Sequence, residues 1–544
     1  MEFHGARLTT ESGRSPSVSP SAAGRHAGDH AVGVRAGRCR RSSVEPREGD
    51  TSMAGSKYDR RRFLGQAAAG ATGAALWNEA VDATEKPKRR PQHKITPDRK
   101  FPYDADVLVI GAGMAGVVAA RALQPHRRVI VLEGRPDRIG GRIWTSFKWP
   151  DEPVDLGASW LSHEQVNPLR VLANRLGIRT VPSQLTNLAL FTADGQRFSE
   201  KDLGDFEDLF GELVADVKLL GLARQVERLG DIPASQAFAT VLGKKNFTAS
   251  QLSVIHYFMD HVFQQAQACP LSDLSTFGLA EDAVSFQGVQ TASIIPEGYV
   301  QFIDFFAAGL DIRLGHVVET ITYSKNGVAV TLADGTTLRA RYCVVTLPLG
   351  VLKSGAVTFV PALPPWKQAA IQRVGFGSTE KIYFRFPSVF WPPDKDSVDR
   401  IPPTLEGQWS AFFNFHKYTG GPNGEPGLPT LLSFNHAPFG PQLERMSDQQ
   451  VMELAYAALK PVYKTDATRP IAMQRSRWAS DPFARGVVPH TPPGSTSRDF
   501  DIIGLPVANR LFFAGDGTTS GFTGFVLGAY QTGLREAQRI LKLH

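Results

Sequence analysis

Gly111, Gly113 and Gly116 stand in the spacing G-x-G-x-x-G, directly after the apolar run ADVLVI at 105–110. Each glycine answers a separate demand of phosphate binding. Gly111 permits a tight turn, Gly113 lets the backbone approach a pyrophosphate, and Gly116 lets the following helix lie close on the strand. Met114 and Ala115 open that helix, whose free N–H groups and positive dipole end suit an anion. A second apolar run, VIVL at 129–132, ends on Glu133, placed to accept from ribose hydroxyls and to disfavour a 2′-phosphate. The glycine spacing alone is a weak signal; the succession of strand, glycine turn, helix closed before Pro125, strand and acid makes it a dinucleotide site.

A second phosphate-like pattern follows at once. After Gly134 and Arg135 comes RIGGR at 138–142, where Gly140 and Gly141 allow another close backbone approach between Arg138 and Arg142. Far along the chain, LFFAGD at 511–516 reads as a buried strand delivering Gly515 and Asp516 to a glycine-spaced turn. Phe525 and Val526 then enter a helix. The plainer alternative for Asp516, an ordinary helix N-cap, is the lesser reading. The alternation over 312–347 around Asp334-Gly335 predicts a hairpin, in which Val318 is one strand valine among several. Lys381 begins an alternating strand in VGFGSTEKIYFRFPSVFW at 374–391. Without other information it reads as a surface lysine.

Together, VIVLEGRPDRIGGRIWT and VDLGASWL resemble the flavin amine oxidases, meaning the monoamine oxidases, polyamine oxidases and lysine-specific histone demethylases. The resemblance runs from about Asp104 to the C-terminus. It implies an α/β protein with a glutathione-reductase-like FAD-binding domain and a mixed-sheet plus helical, α+β substrate domain. The FAD-binding segments are expected at 101–165, 296–355 and 496–544. The substrate domain is expected from a helical lobe at 166–295 and a sheet part at 356–495. FEDLFGELVADVKLLGLARQV, with apolar residues three and four apart, is the clearest helix of that lobe.

The same resemblance implies site roles. Gly157, Ala158, Ser159 and Trp160 join the cofactor site, Val318 meets the adenine through its backbone, and Asp516 bonds the ribityl chain. The helix after Phe525 and Val526 points its N-terminus at the flavin, and Lys381 reaches flavin N5 through a bound water. In RWASDPFARGVVPHTPPG at 477–494, Trp478 and Phe483 pack beside the ring. The chain departs from the family at Val487, where covalently flavinylated members carry cysteine, so FAD is expected to bind non-covalently. Val488 stands where one wall of an aromatic cage belongs, and Phe525 is the opposite wall. Ser162 stands where polyamine oxidases carry an acid or histidine, with His163 and Glu164 next; Glu164 reads as a substitute or as a cap for the helix begun by NPLRVL.

The implied reaction moves a hydride from the carbon beside an amine nitrogen to flavin N5. The imine hydrolyses to a carbonyl product, and oxygen is returned as hydrogen peroxide. Such chemistry needs orientation and a dry pocket rather than an acid–base triad. The partners are thus a small-molecule amine and oxygen. An L-amino-acid oxidase of the same fold would need an Arg clamp for a carboxylate, for which Arg475 and Arg485 are candidates. A flavin desaturase or dehydrogenase without amine activity is the other alternative. A chromatin demethylase conflicts with the N-terminal segment described next.

Positioning these residues takes a long chain, and 544 residues at 42% hydrophobic suffice for two or more domains. The net charge of +7 resides in the first hundred residues, which carry 19 Lys/Arg against 11 Asp/Glu, while the rest nets −1. A basic tail is not a nucleic-acid footprint. Cys39, Cys269 and Cys343 show neither metal nor disulfide spacing, and Cys343 reads as a buried inert thiol. No apolar run is long enough to span a membrane. Residues 1–52 cannot support a core. From Met53, SKYDRRRFLGQAAAGATGAALW resembles a twin-arginine export signal at 53–83, cleaved after Ala83, with a linker at 84–100. Export to the periplasm or exterior is expected, and a cytoplasmic location if the signal is unused. Monomer and homodimer both remain open.

Overall fold

The computed structural model describes residues 103–543 except 185–186, 282–291, 403–407 and 422–424. The extension 1–52 with Cys39, the signal 53–83 and the linker 84–100 lie outside the described residues.

The strand β1 (Ala105–Ile110) is buried almost throughout because it is central in a parallel arrangement. The helix α1 (Met114–Leu123) leads to β2 (Val129–Leu132), which pairs parallel with β1. Further along come β3 (Val318–Ser324), β4 (Gly327–Leu332) and β5 (Thr337–Val345). The β4–β5 hairpin turns at Asp334-Gly335, with Gly335 at φ +84° and the Asp334 carboxylate accepting from Thr336 N at 2.9 Å. β5 then pairs parallel with β1 along one edge and with the strand Leu511–Phe513 on the other. The eight-stranded sheet therefore draws on three separated stretches of chain, with Thr358–Val360 and Ile312–Arg313 at its two edges.

Both faces of this sheet are covered, so its central strands lack polar alternation. Val107, Val109, Val131 and Val344 face α1 and the C-terminal helix Val526–Leu541. Leu108, Ile110, Ile130, Cys343 and Val345 face the opposite cluster, which holds Ile371, Phe500 and Ile503. Close contact of the two helices passes through Gly533, where an added Cβ would lie 2.5 Å from Ala115 O.

The second layer is a six-stranded sheet. Its order runs Ala472–Arg475, β6 (Thr379–Arg385), β7 (Thr430–His436), Ala411–Asn414, Ser397–Arg400 and Leu188–Phe191. Beside it, the helix Glu200–Val226, started by a Ser199/Asp202 capping box, packs on Ala234–Leu242 and Ala249–Met259. Phe210, Phe238, Phe258 and Phe263 fill the space between them, which accounts for part of the phenylalanine excess. The architecture is the expected α/β plus α+β arrangement. No described helix is long and apolar enough to cross a membrane, and no described cluster of His, Cys, Asp or Glu could hold a metal.

Gly116 and Gly204 separate the two uses of helical glycine. A Cβ at Gly116 would lie 2.0 Å from Gly111 O, whereas one at Gly204 meets nothing within 4 Å. Gly116→Ala is expected to destabilise by about 2–3 kcal/mol through backbone overpacking. Gly204→Ala is expected to stabilise by about 0.5–1 kcal/mol. Urea unfolding of the two variants checks both signs.

Candidate active site

A cavity of about 570 Å³ runs along the glycine turns and opens between the two sheets. Every expected cofactor residue lines it except Gly116, whose work is the close helix–strand contact just described.

At one end, Glu133 is held by two backbone donors. Its Oε2 accepts from Ala112 N at 2.8 Å and its Oε1 from Arg135 N at 2.9 Å. Each carboxylate oxygen keeps a second lone pair for a ribose hydroxyl. Val318 borders the same end. Phe483 is here too, not beside the inner ring site that the sequence pattern implied. An added Cβ on Gly134 would lie 2.6 Å from the Phe483 ring, and the Arg135 guanidinium stands 5.4 Å over it while pairing with Asp481. Phe483 thus lines the cavity at the Glu133 end and not beside Lys381, because a loop and not a regular strand carries it.

In the middle, Gly113 bridges Gly140, and Gly140 and Gly141 adopt φ of +98° and +60°. Arg142 forks onto Asp516 at 2.9 and 2.5 Å and donates to Val487 O at 2.6 Å. The pair thus ties the front of the chain to its end, with Gly515, Phe525 and Val526 beside it. Arg138 does not line this cavity. Its guanidinium donates to Gly141 O at 2.8 Å and sits 4.6 Å over Trp144, so it braces the glycine turn.

The inner end is built around Lys381, which is only 5% exposed. Its Nζ donates to Gly157 O at 2.8 Å and to the Ser159 hydroxyl. Trp160, Phe434 and Tyr383 stand with ring centroids 5.3, 5.6 and 5.7 Å from it. Burial pushes the ammonium down to about 7, partly opposed by the charge of Asp155. Asp155 is buried behind it, accepting from Thr145 Oγ1 at 2.5 Å and Tyr299 N at 3.1 Å; burial raises its carboxyl and Lys381 pulls it back. The surface reading of Lys381 is therefore excluded, and its neighbour Asp155, inside VDLGASWL, is a site residue to which the sequence reading gave no role.

Trp478, 2% exposed, donates from Nε1 to Leu156 O at 2.9 Å and meets Trp144 edge-on. Val488 and Phe525 both face the cavity. Behind Phe525 lies a residue that the sequence left without a role. His163 packs edge-on against Phe525 at 4.6 Å and Phe522 at 5.1 Å, and both His163 and Phe522 hold positive φ. Ser162 Oγ is 3.2 Å from His163 Nδ1. Glu164 neither lines the cavity nor caps a helix. It pairs with Arg170 at 3.7 Å, and Asn167 caps the helix Pro168–Leu176 by accepting from Leu169 N. Arg475, a candidate carboxylate clamp, donates at 2.6 Å to Leu443 O and Met446 O and pairs with Asp448. It turns away from the cavity. Arg485 lines the cavity but packs its backbone against Gly350. Cys269 and Cys343 are buried, with thiols pushed up by burial, and neither lines the cavity.

A glycine cradle, a terminal carboxylate, a central Arg–Asp pair and a buried inner cation fit FAD along the whole cavity, and the fold and site define a flavin-dependent oxidoreductase. Residues 114–541 match the family of flavin containing amine oxidoreductases. Polyamine oxidase 2 of Arabidopsis thaliana is 34% identical over 478 residues, covering 85% of this chain and 93% of that protein. Polyamine oxidase 3 of Oryza sativa subsp. japonica is 33% identical over 459 residues, 81% of this chain and 90% of that protein. The lysine-specific histone demethylase 1 homolog 2 of Arabidopsis thaliana is 31% identical over 452 residues, 80% of this chain but 58% of that protein. A solved putrescine oxidase double mutant with redesigned cofactor binding shares the fold, with a TM-score of 0.64 at 20% identity over 80% of this chain and 99% of that one. The chain belongs to the flavin containing amine oxidoreductases, and it is an FAD-dependent amine oxidase.

The lowered Lys381 ammonium fixes a sign. A group depressed on folding contributes stability that is present above its unfolded value, near 10.5, and is lost as pH falls through about 7. Relative to Lys381→Met, the wild type should therefore gain stability as pH rises from about 7 to about 10. Denaturant unfolding of both proteins across that range checks it; a constant difference would contradict the burial assigned to the ammonium.

Proposed function

We propose that the chain oxidises small amines whose carbon chain is apolar near the reacting nitrogen, with non-covalently bound FAD and oxygen as acceptor. The observation that carries this reading is Lys381, buried against Gly157 and Ser159 and facing a wall of Trp160, Phe434, Val488 and Phe525. Glu133, Gly140, Arg142, Asp516 and Val526 would hold the cofactor along the cavity. FAD, when bound, accepts the hydride and passes its electrons to oxygen, giving hydrogen peroxide.

The chain's own residues supply orientation and exclusion of water. The apolar wall favours a neutral amine, because an ammonium entering it loses hydration without a carboxylate partner. Of the acids that line the cavity, Glu133 accepts backbone N–H groups, Asp516 holds Arg142, and Glu319 is exposed beside Val318, away from the Lys381 end. Thr379, two positions before Lys381 on β6, lines the cavity with a buried Oγ1 that has no partner among the described residues. That hydroxyl is positioned to meet an amine N–H. Lys381 holds a proton at Nζ beside the reacting region and stabilises developing negative charge there. The polyamine oxidase relatives support the amine class; Phe525 opposed by Val488, an aliphatic wall, supports a pocket that grips the amine less tightly than two aromatic faces would.

Of the two clamp candidates, Arg475 is spent on the Leu443 and Met446 carbonyls, so the amino-acid alternative rests on Arg485 alone. Anaerobic titration of the flavin absorption band with amines and with the matching α-amino acids tests the reading. Amines should bleach the band and amino acids should not. Lys381→Met is expected to slow flavin reduction or reoxidation by about 10²-fold, and unchanged stopped-flow rates would remove its role. For location, the twin-arginine-like segment 53–83 supports export of the folded protein. Replacing Arg60 and Arg61 by Lys should leave the protein in the cytoplasm when cell fractions are blotted.

A further inference from the structure

Side chains alternate along β6, so Glu380 points away from the face that Thr379 and Lys381 present to the cavity. It is nonetheless buried, as are Ser476 and Trp478 beside it, while Glu444 is half-buried. Glu380 Oε1 accepts from Trp478 N at 3.2 Å and its Oε2 accepts from the Ser476 hydroxyl at 2.7 Å. Glu444, just after the short helix Gly440–Leu443, accepts from the next two amides, Ala479 N at 2.7 Å and Ser480 N at 2.9 Å. Three successive N–H groups of one loop are thus held by two carboxyls from different elements. Neighbouring amides of one short stretch of backbone thus bring the two carboxyls side by side. Two ionised carboxylates held this close in a buried setting repel, and one proton between them removes that repulsion.

We propose that Glu380 and Glu444 share one proton, and that this acid–carboxylate pair is the positioning device that docks the loop 476–483 against the cofactor cavity. The loop carries Trp478 and Phe483, which line the cavity, and Asp481, which holds Arg135. The inference rests on Trp478 and Phe483 walling the FAD site. Burial, followed by the bond to and charge of Glu444, pushes the Glu380 carboxyl up to about 9, with Ser476 and Trp478 N opposing. Burial alone would raise Glu444 as well, but the bonds from Glu380, Ser480 and Ala479 hold it below its ordinary value.

The other charged groups around the pair already have partners. Arg475 is bound to Leu443 O, Met446 O and Asp448, and Arg477 reaches Asp448 at 3.4 Å. From β7, His436 is paired with Asp260 at 2.6 Å. Lys381 lies on the opposite face of β6, bonded to Gly157 and Ser159, and Arg445 is exposed. Arg475 acts on Glu380 through its charge alone, and none of these groups is hydrogen-bonded to the pair.

The sign follows from the raised value. A carboxyl raised on folding contributes stability that is complete below the ordinary carboxylate range and lost as pH rises through about 9. Above that, two adjacent anions repel and the loop loosens. Two readouts on the full-length holoenzyme test this between about pH 7 and about pH 9.5. One is trypsin cleavage after Arg477 and Arg485, normalised to a small ester substrate at each pH. The other is release of FAD, read from flavin fluorescence. In wild type both should rise about tenfold over the range. In Glu380→Gln both should stay flat, because the amide donates to Glu444 as the acid did and cannot ionise. Glu380→Ala should be cleaved fast at every pH. A wild type without the rise in cleavage, or a Glu380→Gln variant with the same rise, would overturn the proposal. Cleavage that follows the pattern while flavin release does not would keep the latch and refute instead the placement of the loop on the cofactor.

Discussion

Lys381 keeps a proton-bearing nitrogen at 5% exposure at the inner end of the cavity, and the surrounding architecture is the answer to the cost of doing so. Withdrawing an ammonium from water costs several kcal/mol even after relaxation. Two acceptors meet it directly, Gly157 O and the Ser159 hydroxyl. Three aromatic rings stand within 6 Å, and Asp155 adds a buried opposite charge behind. Both acceptors lie in the segment after Asp155, whose carboxylate is fixed by Thr145 and by the backbone of Tyr299. The lysine therefore cannot be placed unless the 155–160 segment, β6 and the helix after Tyr299 are already docked. One cation makes two domains mutually dependent.

The same logic of shared partners runs along the cavity. Arg142 from the front of the chain and Asp516 from its end are joined by a fork. Glu133 closes the first turn by accepting from Ala112 N while also holding Arg135 N. The long β5 lies between β1 and Leu511–Phe513, so three stretches far apart in sequence present their chain ends to one ligand. Ligands of open α/β sheets bind beyond the carboxyl ends of the strands, and here the substrate sheet caps that crevice.

How much of this was legible follows from how local each constraint is. The glycine turns were readable because a backbone contact is decided within a few residues. Gly116 must be glycine since a Cβ would strike Gly111 O. The hairpin at Asp334-Gly335 was readable for the same reason. Lys381 was found only through the surrounding motif, since its burial depends on Gly157 and Ser159, more than two hundred residues earlier. Phe483 lies by Arg135 and not beside Lys381, because the loop that carries it is aimed by Asp481 and Arg135 and not by strand periodicity. Glu164 was weighed as a cap when Asn167, adjacent to Pro168, does that work. Asp155, His163 and the Glu380–Glu444 pair left no local signature; their roles arise from tertiary pairing alone.

His163 shows what such pairing does at the substrate side. Phe525 N-caps the C-terminal helix without a side-chain bond, so its ring direction is set by packing. The packing comes from His163 and Phe522, both held at positive φ, a conformation that non-glycine residues keep only where neighbours over-determine it. Burial lowers the His163 pKa, which favours the neutral ring and spares Phe525 a permanent cation at its face. On the other side, Val488 offers no ring to direct, and its contact is the Gly524 backbone, where an added Cβ would stand 3.2 Å away. The wall is thus rigid and aromatic on one side and small on the other. In the proposed reading, an amine entering between them would meet the Phe525 ring and the Thr379 hydroxyl on one side and an aliphatic surface on the other. On that reading, the selectivity of the site would lie in volume more than in charge.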